Sequence, residues 1–187
     1  MINGLVLSGG ESTRMGEDKS MICYHGVPQY EYVYRLLEPY CENVYISSKN
    51  KSIYPFPTIY DHVDFIDLGP LSGLLSAIKT HPTDWIIIAI DYPQISKTEI
   101  EQLIHSNHSL ASVFFNAKSG YYEPTLGFYR KEIGDILIKQ KHNGLQNILR
   151  ELNAEKIYPQ NNAIIKSIDT PVEKESIIAA INFNRLD

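Results

Sequence analysis

Residues 5–19 read Leu-Val-Leu-Ser-Gly-Gly-Glu-Ser-Thr-Arg-Met-Gly-Glu-Asp-Lys, and the fold is organised around this stretch. It starts as an apolar run, which predicts a buried strand, and changes abruptly to glycines and polar residues after Leu7. Glycines let the backbone approach a ligand closely, and successive backbone N–H groups in such a loop bind anions. Arg14 and Lys19 add two cations that can hold phosphate oxygens. The stretch predicts a strand followed by a phosphate-binding loop, although a plain turn between strand and helix would have the same glycines.

The remainder of the chain alternates between strand and helix patterns. Strands are predicted at residues 2–7, 44–47, 58–60, 85–90, 112–115, 125–129 and 164–168. Helices are predicted at residues 30–40, 71–80, 132–139 and 145–152, and capping boxes at residues 96–99 and 170–173 open two more. The run at 85–90 is the most apolar and suits a parallel strand covered on both faces. This alternation predicts one doubly wound α/β domain over residues 1–187, with a mostly parallel sheet and helices on both faces.

The composition narrows the class of protein. A chain of 187 residues with 43% hydrophobic and 21% charged residues is typical of a globular domain with a sizeable core. The net charge of −5 argues against a nucleic-acid partner, which normally binds a basic surface. No apolar run approaches the length of a membrane span, and residues 1–4 do not begin a cleavable leader, so no membrane partner is expected. Cys23 and Cys41 lack metal-ligand spacing, which favours a reducing cytoplasmic location without a disulfide framework.

Two further segments are expected at the same edge of the sheet as the loop. In doubly wound sheets, ligands bind beyond the carboxyl ends of the strands, so the residues after Leu7 and after Ile90 should converge. Asp91 follows the apolar strand directly and is well placed to hold Mg²⁺, which takes one or two protein carboxylates together with phosphates and waters. Alternatively, Asp91 caps the turn before Pro93. Gly69 precedes a helix whose N-terminus either meets a polar ligand at this edge or is a plain helix start.

The loop resembles a family signature in more than its glycines. It matches every fixed position of the Leu-x-Gly-Gly-x-Ser-x-Arg-Met-Gly-x-Asp-Lys motif of the molybdenum cofactor guanylyltransferases, the MobA family: Leu7, Gly9, Gly10, Ser12, Arg14, Met15, Gly16, Asp18 and Lys19. Residues 69–73 also match that family's Gly-Pro-Leu-x-Gly. The resemblance implies a Rossmann-like nucleotidyltransferase fold and transfer of GMP from GTP to molybdopterin, with release of pyrophosphate. It further implies GTP and molybdopterin as partners, Mg²⁺ as cofactor, and transient contact with molybdenum cofactor proteins.

The resemblance also implies roles for individual residues. It makes Arg14, Lys19 and Asp91 the catalytic residues. It implies that Asp91 is the principal metal ligand and Asp169 a weaker or water-mediated one. For the nucleotide, it implies contacts from Leu7, Ser8, Gly9, Gly10, Lys19, Ser47, Asp61, Gly69 and Asp91.

Some positions depart from the family pattern. Ser47 stands where the family has Asn, and Ser167 and Asp169 stand at the two Asn of its Asn-x-Asn-Thr-Pro-Glu motif. An Asp at the second of these positions is also seen in related nucleotidyltransferases, so the resemblance still implies a metal role for Asp169. Apart from the resemblance, Asp169 is an ordinary solvated residue before a helix cap.

Two segments resemble the half of the family that binds the second substrate. They are residues 123–125 and residues 139–144. Family members often carry an Arg near residue 145, and none stands there. The charged residues Lys139, Lys141 and His142 by themselves indicate a solvated surface in preference to a contact with the pterin phosphate.

Two other functions stay open on the sequence. The alternative enzyme is a cytidylyltransferase of the same fold, acting on molybdopterin or on another small phosphorylated substrate. By resemblance, the Gly9-Gly10 pair favours guanine, because the cytidine enzymes tend to have Ala-Gly there. The alternative from another class is a non-catalytic nucleotide-binding regulatory protein, whose best support is the pair of departures at Ser47 and Ser167.

Overall fold

A seven-stranded sheet forms the centre of the computed structural model, which describes residues 1–8, 18–49, 54–106, 108–168 and 170–183. In chain order its strands are β1 (Ile2–Leu7), β2 (Asn43–Ser48), β3 (Thr58–Tyr60), β4 (Asp84–Ala89), β5 (Ala111–Asn116), β6 (Tyr121–Tyr129) and β7 (Glu155–Ile157). Side by side they lie in the order β3-β2-β1-β4-β6-β5-β7. Strand β6 runs antiparallel to both neighbours and the other pairs are parallel, so the sheet is mostly parallel, as the sequence predicts.

Helices cover both faces of this sheet. They are α1 (Gln29–Leu37), α2 (Pro70–Thr80), α3 (Lys97–His105), α4 (Gly134–Lys139), α5 (Leu145–Glu151) and α6 (Pro171–Phe183). On one face, α1 and α3 bury Val33 and Leu103, and on the other face α2, α4 and α5 bury Leu74, Leu137 and Ile148. Each such side chain contributes about 1.5–3 kcal/mol by leaving water. The predicted doubly wound α/β architecture is therefore confirmed.

The central strands β1 and β4 are buried on both faces. Leu5 packs on the side of α2, whereas Val6 packs on the side of α1. Along β4, Ile86 and Ile88 face the α1 side and Ile87 faces the α2 side. All five side chains are at most 1% exposed. Their two-sided burial explains why both strands read as continuous apolar runs instead of alternating patterns.

The predicted helix starts are present. The Ser96 side chain accepts a hydrogen bond from the Thr98 N–H, and the Glu99 carboxylate accepts one from the Ser96 N–H at 2.9 Å, which completes the capping box of α3. At α6, the Thr170 hydroxyl accepts from the Glu173 N–H at 3.3 Å. No helix in the described part of the chain combines the length and apolar character that crossing a membrane requires.

The strand predicted at residues 164–168 is wrong. Turn hydrogen bonds hold this segment, from the Ile164 N–H to the Asn161 carbonyl and from the Lys166 N–H to the Ala163 carbonyl. The segment reads as apolar because three isoleucines within it are buried: Ile164, Ile165 and Ile168. The last strand of the sheet is β7, whose sequence Glu-Lys-Ile has no apolar pattern by which it could be predicted.

Gly73 allows α2 to approach the ends of β1 and β2. A Cβ at this position would lie 2.4 Å from Ser47 Oγ and 2.7 Å from Leu7 Cδ2, distances at which a neighbour must move. We expect Gly73→Ala to lower the free energy of unfolding by about 1–2 kcal/mol, because overpacking outweighs the roughly 1 kcal/mol advantage of Ala over Gly in a helix.

Urea unfolding of Gly73→Ala, Ser47→Gly and the double variant measures this effect. Ser47→Gly removes one of the two close neighbours, so the double variant should lose less stability than the sum of the single variants. The expected coupling is at least about 0.5 kcal/mol, and additive effects would contradict the close packing of these two positions.

Candidate active site

The carboxyl ends of β1 and β4 lie side by side. After β1 the chain continues to β2 on one side of the sheet, and after β4 it continues to strands on the other side. Leu7 pairs with Ser47 of β2 on one side and with Ala89 of β4 on the other. The Ser8 N–H donates to the Ser47 carbonyl at 3.2 Å, and the Ile90 N–H donates to the Leu7 carbonyl at 3.2 Å. The segments that follow the strands therefore stay in contact. Doubly wound sheets bind their ligands at such switch points.

Lys19 and Asp91 meet at this edge from distant parts of the chain. The Lys19 Nζ lies 3.3 Å from Asp91 Oδ1, and the two side chains are 14% and 38% exposed, respectively. Asp18 shapes the backbone that carries the lysine, because its carboxylate accepts from the Ser20 N–H at 2.9 Å and caps the 3-10 turn Lys19–Met21. The result is a partly enclosed ammonium–carboxylate pair that solvent reaches from the carboxylate side.

A chain of hydroxyl groups links the end of β1 to the turn that carries Lys19. Ser8 Oγ and Tyr54 Oη are 2.5 Å apart, and the Tyr54 hydroxyl also contacts Ser20 Oγ at 3.4 Å. The Tyr54 ring packs against Tyr30 at the start of α1, with 4.8 Å between ring centroids. Sequence reasoning did not single out Tyr54, since no motif or spacing distinguishes it from the other tyrosines.

Asp61 lies at the same edge, directly after β3. Its N–H donates to the Ser48 carbonyl at 3.2 Å, which fixes its backbone to the end of β2. Its Oδ1 is buried and has no hydrogen-bond partner among the described residues. Burial raises the pKa of Asp61, and the nearby charge of Lys49 opposes part of this effect. A buried acceptor without a donor is unfavourable, so this oxygen is suited to an N–H or O–H group of a ligand.

Ser47 and Gly69 occupy different environments at this edge. Ser47 is 3% exposed and packs against α2, whereas Gly69 is exposed and precedes α2 with φ +61°. A left-handed conformation favours glycine, because a Cβ would be strained there. The Ser72 hydroxyl stabilises this turn by accepting from the Leu68 N–H at 3.1 Å and donating to the Phe65 carbonyl at 2.5 Å.

A polar cluster that the sequence did not identify as one unit follows Asp91. The Tyr92 hydroxyl donates to Glu123 Oε2 at 3.1 Å and lies 3.2 Å from Thr125 Oγ1. Burial raises the pKa of Tyr92, so its hydroxyl stays protonated at neutral pH. Burial also raises the pKa of Glu123, whereas hydrogen bonds with Tyr92 and Asn116 act in the opposite direction. The resemblance of residues 123–125 to a substrate-binding segment was the available signal, but the contact with Tyr92 depends on the register of β6.

The donor set around Asp91 fits Mg²⁺. This ion needs only one or two protein carboxylates, because phosphates and waters complete its coordination. The described residues contain no cluster of three or more His, Cys, Asp or Glu side chains, as a site built by the protein alone would need. The Ile168 N–H donates to the Asp91 carbonyl at 3.2 Å, so the segment before Asp169 reaches this edge.

The predicted site residues divide into three groups. Leu7, Ser8, Lys19, Ser47 and Asp91 lie on adjacent strand ends and the turn beside them, and Asp61 and Gly69 lie on the β3 side of the same edge. The predictions for Gly9, Gly10, Arg14 and Asp169 lie outside the described residues. Elsewhere, the Lys141 ammonium donates to the Asp64 carbonyl at 3.3 Å, in agreement with a surface role for that charged segment.

Known proteins share both this sequence pattern and this fold. Residues 4–157 match the family described as the MobA-like NTP transferase domain. A molybdenum cofactor biosynthesis bifunctional protein from Synechocystis is 36% identical over 179 residues, which cover 90% of this chain and 51% of that protein. The chain thus spans about half the length of that relative. A molybdenum cofactor guanylyltransferase from Serratia proteamaculans is 32% identical over 161 residues, covering 82% of this chain and 80% of that protein.

A solved structure agrees with the fold. The molybdopterin-guanine dinucleotide biosynthesis protein A from Archaeoglobus fulgidus superposes with a TM-score of 0.79 at 19% sequence identity, covering 97% of this chain and 99% of that one. At this identity the likeness establishes the fold alone. The sequence match over residues 4–157 confirms the family resemblance that the sequence of the loop after β1 indicates. The chain therefore belongs to the MobA-like NTP transferase family, whose members are nucleotidyltransferases.

Proposed function

We propose that this protein transfers the guanylyl group of GTP to the phosphate of molybdopterin and releases pyrophosphate. The observation that carries the proposal is the Lys19–Asp91 pair, 3.3 Å apart at the switch point between β1 and β4. It combines a cation for phosphate oxygens with a carboxylate for Mg²⁺ at the edge where this fold class binds ligands. The relative from Serratia proteamaculans, named a molybdenum cofactor guanylyltransferase, supports the choice of substrates.

The proposed chemistry requires positioning more than covalent participation by the protein. A phosphate oxygen of the acceptor attacks the α-phosphorus of GTP, the bond to the bridging oxygen breaks, and pyrophosphate leaves with the electron pair. The acceptor phosphate is already ionised at neutral pH, so no general base is needed. The work left to the side chains is to hold two anions in line and to stabilise the charge that develops.

Each residue has one task in this scheme. The Lys19 ammonium contacts triphosphate oxygens, with Arg14 assigned the same task on the sequence motif. The Asp91 carboxylate would hold Mg²⁺, with Asp169 proposed as a weaker ligand. When bound, Mg²⁺ neutralises phosphate charge, and no protein residue needs to form a covalent intermediate.

Asp61 supports guanine as the base. Guanine presents a ring N–H and an amino group side by side, and a carboxylate can accept from both. The buried Oδ1 of Asp61 lacks a donor among the described residues, so a ligand of this kind would relieve an unfavourable state. A site built on such bonds discriminates strongly against a base that leaves its polar groups unpaired.

The substrate assignment is tested by a nucleotide panel. With Mg²⁺ present, GTP should raise the melting temperature more than CTP, ATP or UTP does, because a ligand that binds the folded state stabilises it by mass action. Addition of molybdopterin to GTP and the protein should then release pyrophosphate. A larger shift with CTP would favour the cytidylyltransferase, and nucleotide binding without pyrophosphate release would favour a regulatory binding protein.

Lys19→Ala should affect turnover much more than stability. Loss of one preorganised charge partner of a reacting oxyanion costs about 10²–10³-fold in kcat. A partly exposed ion pair such as Lys19–Asp91 stabilises the fold by less than about 1 kcal/mol. Pyrophosphate release and urea unfolding measure the two effects. Lys97→Ala, an exposed lysine at the start of α3, is the matched control, and near-normal turnover of Lys19→Ala would remove Lys19 from the site.

Asp61→Asn should abolish the preference for GTP without destabilising the protein. Because burial raises the folded-state pKa of Asp61, the stability linked to this group is present below its unfolded pKa and is lost as the pH rises through its folded pKa. At neutral pH the uncharged variant should therefore melt at the same temperature as the wild type or higher. Its amide oxygen can accept from one guanine donor while its NH₂ group opposes the other, so the thermal shift caused by GTP should fall toward that of the other nucleotides.

The exposed Asp135→Asn variant on α4 is the control for Asp61→Asn. It should leave both the melting temperature and the GTP shift unchanged. An Asp61→Asn protein that melts earlier and still prefers GTP would assign Asp61 a purely structural role.

A further inference from the structure

His25 follows Lys19 closely in the sequence, and its side chain contacts the segment that carries Asp91. Its Nε2 lies 2.7 Å from the carbonyl oxygen of Pro93, two residues after Asp91. A carbonyl oxygen can only accept a hydrogen bond, so this ring nitrogen carries the proton and donates it. A neutral ring protonated at Nε2 and a charged imidazolium can both do so. The contact therefore needs an N–H group and does not need a charge.

Helix α1 supports the imidazole from one side. The Tyr32 ring stacks on it, with 3.7 Å between ring centroids and 10° between the ring planes. The Tyr32 hydroxyl also donates to the Ile95 carbonyl at 2.8 Å, so the same tyrosine binds the Asp91 segment directly. Gly26 follows the histidine with φ +83°, a left-handed conformation that favours glycine, shortly before α1 begins. Packing on the helix therefore orients the ring that donates to the Asp91 segment.

Hydrogen bonds fix the backbone from residue 91 to residue 95. The Ile168 N–H donates to the Asp91 carbonyl at 3.2 Å, and the Ile95 N–H donates to the Tyr92 carbonyl at 3.2 Å. The bonds from the imidazole and from the α1 tyrosine hydroxyl hold two further carbonyls. Of these four bonds, the one from the imidazole joins the Asp91 segment to the segment that carries Lys19.

An apolar cluster fixes the segment between Lys19 and His25. Its four buried members are Ile22, Tyr24, Ile168 and Ile177. Because two of them precede His25 by one and three residues, the histidine extends from a backbone that is already packed in place. Its hydrogen bond therefore helps to set the spacing between two segments, which supply the Lys19 ammonium and the Asp91 carboxylate 3.3 Å apart.

We propose that His25 is a positioning residue, whose hydrogen bond to the Pro93 carbonyl holds Asp91 opposite Lys19 for metal-dependent nucleotide binding. This inference rests on the proposed function, in which Asp91 holds Mg²⁺ and Lys19 contacts the triphosphate. His25 acts through the backbone beside the carboxylate and needs no contact with the substrate. Loss of a group that orients a metal ligand typically costs about 10–100-fold in metal affinity or activity.

Two substitutions separate the hydrogen bond from the ring stacking. His25→Phe keeps an aromatic ring against Tyr32 but has no N–H group for the Pro93 carbonyl. His25→Gln lacks the ring, but its side-chain NH₂ group can donate from a position similar to that of the imidazole Nε2. A positioning role predicts that the glutamine variant behaves nearly as the wild type and the phenylalanine variant does not. A role in packing alone predicts the reverse order.

The Mg²⁺-dependent part of nucleotide binding is the quantity to measure. GTP and CTP are titrated separately, each with Mg²⁺ and with EDTA, and the rise in melting temperature reports binding. His25→Phe should raise the Mg²⁺ concentration at half-maximal stabilisation by about tenfold or more and leave binding in EDTA unchanged. His25→Gln should recover most of this loss. The factor should be the same for both nucleotides, because they share the triphosphate and the metal.

His105→Phe is the matched control for His25→Phe. It removes another bond between an imidazole and a carbonyl, from His105 to Glu101 at 2.6 Å, at the end of α3. This variant should keep the Mg²⁺ dependence of the wild type. Excess Mg²⁺ should restore part of the pyrophosphate release that His25→Phe loses, which a general loss of packing would not allow. Where His25→Phe does not fold, His25→Leu serves as the variant without a donor.

The two proposals fail in different ways. Absence of pyrophosphate release from GTP and molybdopterin, or tighter binding of CTP, would count against the proposed function. The nucleotide titrations need no turnover and would still decide the role of His25. A His25→Phe protein with the Mg²⁺ dependence of the wild type would overturn that role. A His25→Gln protein that loses as much as His25→Phe, or a wild type whose nucleotide binding does not respond to Mg²⁺, would also overturn it.

Discussion

The parallel pairing of β1 with β4 is the constraint on which the rest of the structure depends. Parallel neighbours cannot be joined by a tight turn, so the chain must cross over the sheet between them and cover it with helices. That requirement buries Leu5, Val6 and the isoleucines of β4 on both faces. It also brings both carboxyl ends to one edge. Lys19 and Asp91, 72 residues apart in sequence, reach 3.3 Å as a consequence of this topology.

Whether a sequence pattern predicts the correct element depends on the physical cause of the pattern. The apolar run of β1 and the proline-started α2 are formed by burial and local stereochemistry, and both agree with the structure. Residues 164–168 have the same apolar signal but are held by turn hydrogen bonds and not by a strand ladder. The prediction failed there because an apolar run indicates burial and does not indicate backbone pairing. Strand β7 is the converse case. It pairs with β5 over three residues of which only Ile157 is buried.

The candidate site was predictable to the extent that it depends on position along the chain. Asp91 follows an apolar strand and Lys19 closes a motif, so both could be named from the sequence and assigned to one edge. Their contact, the unpartnered oxygen of Asp61 and the Tyr92–Glu123 bond could not, since each depends on burial or on strand register. A three-residue bulge decides which side of β6 a carboxylate faces, and no periodic pattern encodes it.

Because β6 runs antiparallel to β4, the two sides of Asp91 at this edge are chemically different. On the β3 side, the chain leaves the strands and enters α2 at this edge, so a helix N-terminus adds positive potential suited to a triphosphate. On the other side, β6 enters the edge from a tight turn closed by the Gly120 N–H and the Asn116 carbonyl. The first turn of α5 lies beside that entry, because the Gln146 side chain accepts from the Tyr122 N–H at 3.0 Å and donates to the Tyr122 carbonyl at 2.9 Å. On this side the Tyr92 hydroxyl also donates to the Glu123 carboxylate at 3.1 Å. The single antiparallel strand thus gives the two sides of Asp91 different polar groups, because the chain leaves the edge on one side and enters it on the other.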